Sequence, residues 1–393
     1  MNEVFDVAIV GASVSGATLA NRLGREELRV ALIDRDRFPR RKACGEGVSD
    51  IALAALQRMG VETDVEALDG KPFFSYRIDL GKRSYEFATR RHRQLRGVGI
   101  QRLKLDQALT DQASQLPSVD SRFGRPVKAI TREGALYRVD DDEGDTLLAR
   151  RIVLADGASS HNASRLGIPK TQTRSPLWGI SFILEGRYEK VTGEVLVILK
   201  RGFEINCTPV GKNHLNVAFL AEKSQVAALQ DRAWREELIR EAMEKAYFRG
   251  QPMGEPLQVG PVGSTRRGYF HEDILLLGDV AESLDPIAGM GMTHGILMAE
   301  YAARALVAQL RDGVTSEVAL REYGRQAEKM TRPYRGFTQL TSSLLRSPLR
   351  NLLVPPMSFA SLPDVIRGSL TCRALGDSPV PVLPILLLNL FGA

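Results

Sequence analysis

The segment VFDVAIV, residues 4–10, runs straight into Gly11-Ala12-Ser13-Val14-Ser15-Gly16, and nothing else in the 393 residues limits the fold as much. A β-favouring run, a glycine-punctuated turn and the helical stretch that continues to Gly24 spell strand, tight turn, helix, with Gly24 as the expected stop signal. LRVALID, residues 28–34, supplies a second buried strand. The three together make a βαβ unit of a parallel, doubly wound sheet. In such a turn Gly11 lets the chain leave the strand sharply, and Gly16 lets the helix pack close to the sheet. The first-turn N–H groups are then free to meet a pyrophosphate. Gly11, Ala12, Ser13, Ser15 and Gly16 are therefore candidate phosphate contacts. Ser13 stands where a second glycine is usual, so its side chain is expected to cost some clearance. Asp34 ends the second strand about 20 residues after the turn, where an acid accepts hydrogen bonds from ribose hydroxyls, and Arg35 follows it. Turn and acid point to an adenine dinucleotide without separating FAD from NAD.

Further along, the pattern changes twice. FFSYRIDLGKRSYEF, within residues 71–96, is aromatic-rich and alternating, as antiparallel strands are. RLKLDQALTDQA reads as a helix. Three strands follow, PVKAI, ALYRVDDDEGDTLLA and RIVLAD, with a hairpin at Glu143-Gly144. Residues 177–220 again read as sheet, 224–247 as helix, DILLLGDV as a buried strand and 292–310 as a strong helix. The remainder reads as helical and irregular, with prolines from Pro333 onward. The expected architecture is α/β: a Rossmann-like dinucleotide-binding domain of residues 1–70, 97–170 and 263–330, an inserted antiparallel sheet domain of 71–96 and 171–262, and a C-terminal helical segment of 331–393.

Three later stretches carry a family likeness. VLADGASS ends a buried strand at Asp156-Gly157. GIQRLKLDQAL carries Arg-x-x-Leu-Asp-x-x-Leu from Arg102. ILLLGDVAESLDPIAGMGMTHGI holds Gly278-Asp279, then the glycine-rich loop Gly289-Met290-Gly291 before Met292. Together they resemble the fingerprints of the flavoprotein superfamily with the p-hydroxybenzoate hydroxylase fold, which includes monooxygenases, geranylgeranyl reductases and halogenases. The resemblance implies FAD in a glutathione-reductase-type domain, with NAD(P)H as electron donor. It implies that Asp279 holds a ribityl hydroxyl and that Gly291 and Met292 offer N–H groups to the flavin ring. The positive end of their helix would steady a reduced, anionic flavin. It puts Asp156 near the pyrophosphate and Arg102 near the flavin; Gly278, Gly289 and Val127 join the cofactor set. ACGEGVS, residues 43–49, is similar to the Cys-Gly-Glu-Gly-x-Ser segment of archaeal geranylgeranyl reductases, which places Cys44 and Gly45 beside the ring, with Cys44 either donating a proton or packing.

Two departures shape the expected chemistry. The aromatic Tyr-x-Trp-x-Phe-Pro strand of the prenyl reductases is represented by FEINCTPVG, which keeps Pro209 but has Phe203 as its sole aromatic residue. The halogenase segment Phe-Pro-Arg-x-x-x-Gly-Glu-Ser has Gly47 in place of its serine. GMGMTHGI resembles the monooxygenase form of its loop. The preferred expectation is a monooxygenase that hydroxylates an apolar aromatic or polyketide-like substrate, free or carrier-bound, through a peroxyflavin. The alternative is a reductase of isoprenoid or lipid C=C bonds; an adaptor that binds a nucleotide without catalysis is the reading from another class.

Composition adds exclusions. No metal is expected, since the histidines and the scattered Cys44, Cys207 and Cys372 show no ligand spacing. The formal charge of +6 is partly local. Arg35, Arg37, Arg40, Arg41 and Lys42 read as an anion site; Arg90, Arg91, His92, Arg93 and Arg96 read as a solvated face. No aromatic–basic interleaving points to nucleic acid. The start lacks the basic-then-apolar pattern of a signal peptide, so a cytoplasmic protein is expected. PVPVLPILLLNLFGA, residues 379–393, is shorter than the ~20 residues a spanning helix needs. It reads as a tail against the core or a partner copy, with peripheral contact to a membrane as the alternative.

Overall fold

The computed structural model describes residues 4–81, 84–88, 95–172, 177–200, 202–225, 231–286 and 289–346. The apolar tail, Cys372 and Arg90–Arg93 lie outside the described residues.

Strands are numbered along the chain. β1 (Val4–Val10), β2 (Val30–Asp34), β8 (Val119–Phe123), β11 (Thr146–Leu154) and β21 (Ile274–Leu276) form a parallel sheet in the order β21-β11-β1-β2-β8. β20 (Phe270–His271) closes one edge antiparallel to β21, and the hairpin of β9 (Val127–Glu133) and β10 (Leu136–Asp141) is carried on β11. Parallel strands buried on both faces need continuous apolar runs. Val7–Val10, Val30–Ile33 and Ile152–Leu154 supply them, all at 5% exposure or less.

A second sheet runs β17 (Phe248–Pro252), β13 (Leu177–Tyr188), β16 (His214–Glu222), β15 (Phe203–Pro209), β14 (Glu194–Lys200), β5 (Ser75–Asp79) and β6 (Ser84–Ala88); β18 (Leu257–Val262) also pairs with β13. Two three-stranded sheets complete the set: β3 (Gly47–Ser49), β7 (Gly97–Gly99) and β4 (Lys71–Phe73), and β12 (Thr171–Gln172), β19 (Thr265–Arg266) and β22 (Glu282–Ser283).

The helices are α1 (Val14–Arg25), α2 (Asp50–Arg58), α3 (Arg102–Ser114), α4 (His161–Arg165), α5 (Arg232–Lys245), α6 (Gly291–Leu310) and α7 (Ser316–Arg346). On α6, 14 of 20 residues are buried, the mark of a helix enclosed on most sides rather than lying on a surface. It packs against α1, α2 and α7. On the second sheet one face is filled by Ile205, Cys207, Leu215, Val217 and Phe219 against Leu238, Ile239 and Ala242 of α5. Period-2 alternation therefore leaves the other face to different residues.

Three sequence expectations need correction. Gly24 does not stop α1 but lies inside its last turn, where a Cβ would come within 2.6 Å of Val119 and 2.8 Å of Leu116. It is small for packing rather than for a turn. DILLLGDV is not one strand: β21 ends at Leu276 and Gly278–Val280 is a 3₁₀ turn. The helix expected from residue 224 starts at Arg232, capped by the Asp231 carboxylate accepting from Trp234 N at 2.9 Å. α7 continues through Pro333 to Arg346, in keeping with a helical remainder. An internal proline costs roughly 3 kcal/mol, and tertiary contacts around it outweigh that. Arg335 forks onto Glu282 at 2.6 and 2.8 Å and onto Glu328 at 3.0 Å, while His294 meets Thr331 at 2.8 Å. Among the described residues no helix is long and apolar enough to cross a membrane.

Candidate functional site

The site grows out of the turn between β1 and α1. Gly11 adopts φ +108°, and a Cβ there would meet the Ala155 carbonyl at 2.4 Å and Asp156 N at 2.8 Å. A Cβ on Gly16 would lie 1.8 Å from the Gly11 carbonyl. The turn is thus clamped between β11 and its own helix, and that clamp brings Asp156 beside it. Ala12 N donates to Asp34 Oδ2 at 2.6 Å and Asp36 N to Asp34 Oδ1 at 2.9 Å, so Asp34 also staples the turn. A carboxylate has further acceptor capacity, so these bonds leave room for a ribose hydroxyl. Arg35 is exposed.

Ser13 caps α1 without a side-chain bond to the helix. Its hydroxyl instead accepts from Arg102 Nη2 at 2.6 Å, so the serine in a glycine's place ties α1 to α3 rather than merely narrowing the turn. Arg102 forks onto Asp106 at 2.8 and 2.7 Å, and Asp106 is fully buried. Burial works against the charge on Arg102, but Asp106 and the Cys44 sulfur outweigh it and raise its pKa. Arg40 approaches Asp106 at 3.5 Å, and Lys42 stands within electrostatic range of both Asp106 and Asp279.

The loop before β3 closes the ring. Glu46 has φ +59°, is 6% exposed, and accepts from Arg102 N through Oε1 at 3.2 Å; its own N–H donates to Cys44 Sγ at 3.3 Å. Burial pushes its carboxyl up to about 7, against the opposing pull of Arg102 and Arg41. Ser49 bonds Thr293 on α6 at 2.8 Å, and the Ser15 hydroxyl lies against Gly278 and Gly295. Ser15 therefore serves to seat α1 on α6. From the second sheet Asn216 donates to the Cys44 carbonyl at 2.8 Å, which turns the face opposite α5 toward this ring.

The remaining expected residues fall as follows. Asp156 takes Ser160 Oγ at 2.8 Å and Asn162 Nδ2 at 2.9 Å on Oδ2; burial raises its pKa, and these bonds partly oppose the rise. Gly278 is buried and Asp279 exposed beside it, Gly289 takes φ +62°, and Met292 is buried in the first turn of α6. Val127 starts β9, its carbonyl accepting from Arg165 on α4.

These residues fit the FAD implied by the resemblance. α1 and α6 present helix N-termini with no side-chain cap and no acid in the first turn. A Cβ added at Gly45, Gly289 or Gly291 would meet nothing within 4 Å, leaving room for a group to approach the backbone. Glu46 Oε2, Asp156 Oδ1 and Asn216 Oδ1 are buried without a hydrogen-bond partner. Asp106, Glu46 and Asn216 are the residues that sequence reasoning passed over. Asp106 had a signal, as the acid of the segment that begins at Arg102.

The folded-state pKa of Glu46 lies above its ordinary 4.5, so its acid form stabilises the fold. That contribution is complete below pH 4.5 and is lost as pH rises through about 7. Glu46→Gln should remove this dependence. Thermal melts of the protein without cofactor should show the wild type losing stability relative to the variant over that window, and parallel curves would refute the assignment.

Known proteins resemble this chain in sequence and in fold. The FAD binding domain family matches residues 4–334. Conditioned medium factor receptor 1 of Dictyostelium discoideum is 24% identical over 81% of this chain, which spans 66% of that protein. Menaquinone reductase of Mycolicibacterium smegmatis is 24% identical over 78% of this chain and 77% of its own length. Among solved structures, PqsL of Pseudomonas aeruginosa, described as a probable FAD-dependent monooxygenase, superposes with a TM-score of 0.74 at 20% identity, over 88% of this chain and 97% of its own. The shared fold is that of p-hydroxybenzoate hydroxylase.

Proposed function

Because the chain belongs to the FAD binding domain family and is an FAD-dependent oxidoreductase, we propose that it is a monooxygenase acting on an apolar aromatic or polyketide-like molecule that carries a hydrogen-bonding group, with electrons from NAD(P)H. When bound, FAD supplies the redox and oxygen chemistry. The protein's share is to hold it, orient the substrate and keep water out.

The observation that carries the reading is the sheet face on the side of Asn216. Along β15 it shows Glu204, Asn206 and Thr208; Val197 and Ala218 flank Asn206 on the two neighbouring strands, and Ser181 pairs with Ala218 one strand further on. Glu204 is 4% exposed and accepts from Asn206 Nδ2 at 3.2 Å. A polar stripe bordered by aliphatic side chains suits a flat apolar molecule with one polar group to orient. On the same face Asn216 Oδ1 is buried without a hydrogen-bond partner, and a bare prenyl chain gives it nothing to bond. Support also comes from the fold shared with PqsL.

The second reading, a C=C reductase, is favoured by Cys44-Gly45-Glu46 and by the likeness to menaquinone reductase. One experiment separates the two. Purified enzyme is given NAD(P)H, a panel of phenols and polyketide-like aromatics, and isotopically labelled oxygen gas, and the products are weighed by mass spectrometry. Monooxygenation places the label in the product. A product that gains hydrogen and no label overturns the reading.

A further inference from the structure

We infer that Glu46 is the proton-exchanging residue of this site: its carboxylate takes up one proton from solvent when the bound cofactor gains two electrons, and releases it when those electrons leave. This goes beyond the oxygenase reading and rests only on where the flavin is placed, so it holds for hydride transfer to substrate as well.

A non-glycine residue at φ +59° is uncommon, and here it is fixed from both sides, by Ile100 N donating to the Glu46 carbonyl at 2.9 Å and by Glu46 N donating to Cys44 Sγ at 3.3 Å. That conformation turns a glutamate inward to 6% exposure. One carboxyl oxygen meets Arg102 N, while Oε2 is buried without a hydrogen-bond partner.

The charges around it leave the carboxylate poorly neutralised. On its own loop is Arg41, which already bonds the Glu255 carbonyl. On α3 are Arg102, already forked onto Asp106, and Asp106 itself, a like charge. A group so placed sits near the balance between acid and anion, and a small change in neighbouring charge decides its state. The site provides that change. Ser49, three residues on, bonds Thr293 in the first turn of α6, where the resemblance places the flavin ring. Hydride from a nicotinamide donor brings the flavin two electrons and one proton and leaves it with one added negative charge. Glu46–CO₂⁻ plus a solvent proton gives Glu46–CO₂H, and the local charge is restored. On reoxidation the proton returns to solvent.

The test is a potentiometric titration of the FAD-loaded full chain at a series of pH values from neutral upward, wild type against Glu46→Gln. The wild type should show two protons taken up per electron pair over part of this range; the variant should show one throughout, a halving of the slope of midpoint potential against pH. Equal slopes overturn the proposal. Glutamine matches the acid form in shape, so the fold should survive. Should the variant fail to load FAD, the redox difference infrared spectrum of the wild type decides: a protonated-carboxyl band must appear on reduction, and its absence overturns the proposal. Neither measurement involves substrate, so failure here is distinct from failure of the labelled-oxygen experiment.

Discussion

Asp106→Ala should destabilise the fold by about 3–5 kcal/mol, the usual cost of removing one partner of a buried ion pair. Asp106 is fully buried and accepts two hydrogen bonds from Arg102, which is itself 5% exposed. With the carboxylate gone, Arg102 keeps its charge and loses its main partner. Ser13, Cys44 and Glu46 all touch Arg102, so the phosphate turn and the loop at Cys44 should loosen together. Chemical denaturation measures the first effect and FAD titration the second. Replacing both partners at once, Arg102→Met with Asp106→Leu, should recover much of the stability, since no unpaired charge then remains, while FAD affinity stays low. A loss below about 1 kcal/mol for Asp106→Ala, the range of an exposed pair, would show that the guanidinium finds water instead.

The second large effect is expected of Gly16→Ala. Its Cβ would lie 1.8 Å from the Gly11 carbonyl, a backbone atom already held against β11, so no side chain can yield. The helix must shift away from the turn. Overpacking of this kind costs roughly 1–3 kcal/mol, and because the shift falls on the N–H groups offered to the pyrophosphate, most of it should appear as lost cofactor affinity, about 10–100-fold. Equilibrium dialysis with FAD reads the affinity, and far-ultraviolet circular dichroism shows whether the helix itself survives. Unchanged affinity would mean that the pyrophosphate lies elsewhere.

Both residues bear on how much the sequence revealed. Gly16 was legible because a strand-turn-helix imposes glycine at a fixed offset, and the same local rule found Gly11. The parallel strands were legible because burial on both faces demands unbroken apolar runs. Asp34 was found by its spacing, but not its second employment as the staple for Ala12 N, since that bond depends on the turn's fold. Gly24 was misread because it breaks local propensity while distant residues set the outcome: Val119 and Leu116 crowd it. Glu46 stood inside a recognised segment, yet its role stayed hidden, as did that of Asn216, for a related reason. Their importance lies in burial and in partners far along the chain, Arg102 and Cys44, and a single sequence does not display long-range contacts. Residue type alone makes an asparagine on a strand or a glutamate in a loop unremarkable.

The central claim is that one ring of residues, the Gly11–Gly16 turn, the Cys44–Glu46 loop and the first turn of α6, encloses the cofactor beneath the sheet face that carries Asn216. The crystal structure of the FAD complex tests it most directly. The account predicts the pyrophosphate at the N-terminus of α1, the flavin ring between Gly291-Met292 and Cys44-Gly45, and Glu46 unmoved beside Arg102. A flavin ring on the other side of α6, or a Glu46 swung out to solvent, would contradict it.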